Sequence, residues 1–146
     1  MRKQVHRLLL IAASTLIVSP ALAGDDPAHE RHELMEGVKD AAKPVGEMLK
    51  GDTEFNAETL QASLTVMADA AAKIGDLVPE GSEGGEAAPA IWEDPDGFAA
   101  AIEKFRAATD AAIQADPSTL EDAKPIVGPV FDACKNCHDS YRIEDE

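Results

Sequence analysis

Residues 129–142 read PVFDACKNCHDSYR, and the register of side chains in and just before this stretch decides the fold. Leu120, Val127, Val130, Phe131, Cys134 and Tyr141 recur at helical spacing and form one apolar stripe. On the same helix Cys134, Cys137 and His138 stand at i, i+3 and i+4, so two thiols and an imidazole project from one side. Such a helix cannot bury its stripe alone. It needs others with matching faces, and the residues upstream provide three.

Phe98, Ile102, Phe105, Ala108 and Ala112 form one of these stripes, and Leu60, Leu64, Met67, Ala71, Ile74 and Leu77 form another. Met35, Val38, Ala42, Val45 and Leu49 make the first in chain order. The strict alternation of a strand is absent. Asp26-Pro27, Asp94-Pro95 and Asp116-Pro117 each predict a helix start. An Asp N-cap accepts from unpaired amides, and Pro at the first helical position lacks only a donor that would have no partner. Asn56, after the Gly51-Asp52 turn, predicts the remaining start. Residues 79–94, between the second and third helices, are rich in Gly and Pro; the other connections are short, which makes neighbours antiparallel. The expected fold is all-α, an antiparallel up-down-up-down four-helix bundle with the motif on its C-terminal helix. Pro44 inside the first helix and Pro125 and Pro129 inside the fourth each remove a backbone bond. They allow the last helix to begin as late as Pro129, with residues 124–128 as a turn.

The N-terminus sets an expected compartment. Arg2, Lys3 and Arg7 precede an apolar run, Leu8 to Val18, which leads into Pro20-Ala21-Leu22-Ala23. That order reads as a secretory signal peptide, residues 1–23, too short to span a bilayer. Residues 24–146 then form one exported domain, expected in the periplasm and free of the membrane after cleavage. The signal holds three of the 13 Lys+Arg and none of the 28 Asp+Glu, so the remainder carries 28 acidic against 10 basic side chains, near −18. This charge repels nucleic acid and anionic lipid and favours a basic partner.

Cys134 and Cys137 are the two cysteines of the chain. A disulfide between residues three apart closes almost no loop and stabilises little. Cys134-Lys135-Asn136-Cys137-His138 is instead C-x-x-C-H, the attachment signature of c-type haem. Two thiols on one helix face can add across the two vinyl groups of one porphyrin, and the imidazole of His138 then points beneath the ring at the iron. A dithiol redox centre and a zinc site are the alternatives. The first belongs at a helix start after a strand. The second needs a fourth ligand, with His29 and His32 as the other imidazoles beyond the signal. Eight residues follow His138, so any sixth iron ligand must come from an upstream helix. Apart from the motif no acid–base constellation stands out, and ordinary enzyme catalysis is not expected; a haem-free helical protein is the bland alternative.

Three stretches carry a resemblance. C-K-N-C-H-D-S-Y-R, Cys134 to Arg142, resembles the terminal C-K-x-C-H-x-x-[YF]-R of cytochrome c′ and its low-spin relatives. Glu83-Gly84-Gly85 and then Pro89-Ala90-Ile91-Trp92-Glu93-Asp94 resemble that family's E-G-G…P-x-I-W-x-D connection, and Arg31 with Met35 resembles an Arg and an apolar residue four apart on its first helix. The resemblance spans essentially the whole chain after the signal. It implies one haem c per chain, covalently held by Cys134 and Cys137, with His138 as axial ligand. It further implies Arg31 at a haem propionate, Arg142 by the proximal face, and a homodimer built on the first two helices. Trp92 and Tyr141 read as packing residues, His29 and His32 as surface histidines.

Met35 divides the functions. In cytochrome c′ proper the matching side chain caps the haem without binding, and the five-coordinate iron takes up nitric oxide or carbon monoxide. In the low-spin relatives a methionine there is the sixth ligand, and the protein carries electrons between Fe(III) and Fe(II). Leu34-Met35 and Pro129 resemble the low-spin branch; Arg31 and E-G-G resemble the other. Electron transfer is the expected function, with gas binding at a vacant distal site as the alternative.

Overall fold

The computed structural model describes residues 26–143; the signal peptide expected at residues 1–23 lies outside that range. The elements are α1 (Pro27–Lys50), α2 (Ala57–Lys73) with a 3-10 turn (Ile74–Leu77), a short α3 (Ala90–Glu93), α4 (Pro95–Ala115) and α5 (Leu120–Tyr141). Three helix starts form as their chemistry predicts. The Asp26 side chain accepts from the Ala28 N–H at 3.0 Å, that of Asn56 from Thr59 N–H at 2.7 Å, and that of Asp94 from Gly97 N–H at 3.1 Å. α1 ends at Gly51, whose φ of 83° is a left-handed cap that a residue without Cβ adopts freely.

The fourth start differs. Thr119 caps α5, accepting from the Asp122 N–H at 3.2 Å. Asp116 terminates α4 instead, in the left-handed region at φ 43°, and Pro117 follows because it cannot continue that helix. α5 also runs unbroken through Pro125 and Pro129, as α1 does through Pro44, so no turn forms at residues 124–128. Pro125 and Pro129 are exposed, as is Glu121, whose carbonyl loses its partner to Pro125. Water can take up the freed carbonyls on that side, and the helix survives.

α1 packs along α2, α2 along α4, and α4 along α5, while α1 and α5 touch over little of their length. The bundle is therefore closed on three sides and slack along its α1–α5 seam. Val45, Leu60, Leu64, Met67, Ala112, Val127 and Val130 are sealed from solvent, and each large aliphatic so buried stabilises by about 1.5–3 kcal/mol. On α1, α4 and α5 the core residues come from the half of the helix away from the motif: Val38 to Met48, Phe105 to Ala112, Ala123 to Val130. Ile91 and Phe98, at the motif end, are buried but stand apart from that cluster.

Candidate functional site

Antiparallel order brings the start of α1, the end of α2, the start of α4 and the end of α5 to one end of the bundle. Arg31, Met35, Phe98 and the motif residues Cys134, Cys137 and His138 thus belong to that end of the bundle. Both cysteines are unpaired and half-buried. Burial pushes the Cys134 thiol up to about 11, with the nearby Cys137 adding to the effect, and raises Cys137 as well. A dithiol redox centre needs the opposite, a depressed thiol at a helix start; these two sit in the last third of α5.

His138 is half-buried too. Burial lowers its pKa, the positive charge of Arg142 lowers it further, and Glu86 and Asp139 oppose both. The imidazole is therefore neutral near pH 7, with a nitrogen lone pair available to a metal. Among the described residues no group of three or more His, Cys, Asp or Glu is set to hold a metal ion by itself.

Arg142 caps the end of α5, its N–H donating to the His138 carbonyl at 3.1 Å. Here the chain meets the connection: Ala88 N–H donates to the Tyr141 carbonyl at 3.0 Å and Ile143 N–H to that of Glu86 at 2.8 Å, about an antiparallel Ala87–Arg142 bridge. Tyr141 lies edge-on to Phe98 with centroids 5.2 Å apart, and its hydroxyl is 3.5 Å from Asp94 Oδ2. Trp92 donates its Nε1–H to the Pro79 carbonyl at 3.2 Å. Both aromatics pack. His29 is exposed, and His32 Nδ1 is 4.0 Å from Glu86 Oε1 at the surface.

Arg31 is anchored on the connection. It is 6% exposed, and its two terminal nitrogens donate to the carbonyls of Leu77, Ser82 and Gly84 and to Ser82 Oγ. Its guanidinium also lies 5.5 Å from the centre of the Trp92 ring. The fork meets the connection because that segment folds back over α1 with its carbonyls facing inward. Gly97 is a site residue that sequence reasoning missed: a Cβ there would collide with the Asp94 carboxylate and the Tyr141 hydroxyl.

Met35, one turn beyond Arg31, is half-buried. Among the described residues, its neighbours Leu34, Val38, Ala41 and Ala42 belong to or pack on the core, and Met35 does not join them. Cys137 opens onto a groove of about 640 Å³ between α4 and α5, edged by Ala101, Ala133 and Tyr141. A second cavity of about 500 Å³ lies under the connection against Val78, Ile91, Trp92 and Phe98. Two free thiols and a neutral imidazole on one helix face, with Cys137 open to the α4–α5 groove, fit a tethered porphyrin.

A family model for cytochrome C′ matches residues 26–142. The chain belongs to the cytochrome c′ family. It is similar to the cytochrome c′ of Rhodopseudomonas palustris, 35% identical over 94% of this chain and 97% of that one. It is equally similar to cytochrome c-554 of Cereibacter sphaeroides, at 35% over 90% and 93%. The solved structure of Rhodopseudomonas palustris cytochrome c′ superposes with a TM-score of 0.80 at 33% identity, covering 84% of this chain and all of that one. Covalently attached haem c is accordingly its cofactor.

Proposed function

We propose that this cytochrome c′ family member is a periplasmic electron carrier, not an enzyme, with Cys134 and Cys137 holding the haem and His138 and Met35 on its two faces. Haem c supplies an iron that cycles between Fe(III) and Fe(II). His138, kept neutral by burial and by Arg142, offers its lone pair from α5. Met35 offers a thioether from α1, a soft ligand that favours ferrous iron and raises the potential. The bundle half-buries both sulfurs. Electrons then come and go without any bond to the partner.

The observation that carries this reading is the placement of Met35: half-buried, one turn from Arg31, and left out of the core that claims the residues around it. A ferric protein with a near-infrared sulfur-to-iron band, lost in Met35→Ala, is the expected result. A second reading is a five-coordinate iron that takes up nitric oxide or carbon monoxide, supported by the similar cytochrome c′ of Alcaligenes xylosoxidans, a mutant of which is solved as a nitric oxide complex. The partner of the electron carrier is a protein with a basic face, by charge complementarity. A homodimer on α1 and α2 is part of the proposal, supported by Val66, 44% exposed on α2; light scattering on the holoprotein should return twice the chain mass, and a monomer at micromolar concentration would exclude it.

A further inference from the structure

The connection between α2 and α4 is fastened to both helices that bear the iron-facing residues. At α1, buried Arg31 holds the carbonyls of Leu77, Ser82 and Gly84 at 2.7, 2.8 and 3.1 Å. At α5, Glu86 to Ala88 pairs with Tyr141 to Ile143 through bonds of 3.0 and 2.8 Å. Between these fastenings lies the seam along which α1 and α5 scarcely touch. Met35 follows Arg31 by one helical turn, and His138 precedes Arg142 by one. Close backbone approaches between the two helices are few, and the connection crosses from one to the other.

We infer that Arg31 is a positioning residue: by clamping residues 77–84 to α1 while residues 86–88 are paired to the end of α5, it fixes the width of the seam and so the reach of Met35 toward the iron. A planar fork with donors in fixed directions suits several carbonyls at once, and an ammonium on a flexible stem does not. The charge alone is therefore not enough, and lysine should fail where arginine succeeds. This inference rests on the reading of Met35 as a ligand, and its test separates the two.

The test compares full-length holoprotein with Arg31→Gln and Arg31→Lys by three readouts. These are the ferric spin state, the rate at which the ferrous form takes up carbon monoxide, and hydrogen exchange at the Ala88 and Ile143 amides. Both variants should exchange at those amides and take up carbon monoxide about tenfold faster, and should gain high-spin signal, with haem content unchanged. A chain ended after Arg142, which keeps Arg31 but loses the Ile143 N–H, should shift carbon monoxide uptake the same way. A changed potential with unchanged exchange and uptake would place Arg31 at a propionate and overturn the inference; so would faster exchange with unchanged uptake, or a truncated chain like the parent. A parent protein that is high-spin throughout sinks Met35 ligation, while exchange and uptake still decide whether the strap sets the seam.

Discussion

At the scale of single residues, the chemistry turns on what burial does to Cys134 and His138. Desolvation disfavours the charged form of each, so the thiol pKa rises and the imidazole pKa falls. For Cys134 the shift is from 9.0 to about 11. A raised folded-state pKa contributes stability that is present below pH 9 and lost as pH climbs through about 11. The haem-free chain should therefore resist a thiol reagent at pH 8 and label progressively faster toward pH 11; rapid labelling at pH 8 would contradict the buried placement. Unfolded holoprotein should show no reactive thiol at any pH, both sulfurs being spent on the haem. The C-x-x-C-H pattern made these atoms legible because spacing on a helix is local. The role of Arg31 was not, since its acceptors lie 46 to 53 residues away and only the fold brings them to it.

At the scale of elements, caps decided more than propensity. Asp26-Pro27, Asn56 and Asp94-Pro95 could be read directly, because each side chain bonds to an amide two or three residues on. Asp116-Pro117 has the same two letters and the opposite meaning. Asp tolerates the left-handed region, so the pair can end a helix as well as begin one, and Thr119 three residues later takes the cap. Pro125 and Pro129 misled for a related reason: a proline breaks a helix only where the lost bond goes unreplaced, and sequence does not say which side faces water. Gly97 belongs to this scale as well, since it lets the first turn of α4 approach Tyr141 on α5. Gly97→Ala should cost about 1–3 kcal/mol in denaturant unfolding despite the better helix propensity of alanine. An unchanged or stabilised variant would mean that the Asp94–Tyr141–Phe98 contact is not what joins these helices.

At the scale of the whole molecule, the bundle has three packed seams and a slack one between α1 and α5. The sealed core on α1, α4 and α5 lies away from the motif, and at the other end the connection folds against Ile91 and Phe98. That division lets one small domain be stable and yet keep a place for a large planar group. The surface adds a long-range field: 28 carboxylates against 13 Lys+Arg in the full sequence. Electron exchange with a basic cytochrome should slow several-fold as salt rises from about 0.01 M to about 0.5 M, since screening removes the steering; a rate indifferent to salt would rule out a charge-guided partner. The most direct measurement is the electron paramagnetic resonance of the ferric holoprotein at neutral pH, taken beside Met35→Ala. A low-spin signal in the parent that becomes high-spin in the variant is the predicted result, and a high-spin parent identical to the variant would contradict the electron-carrier account.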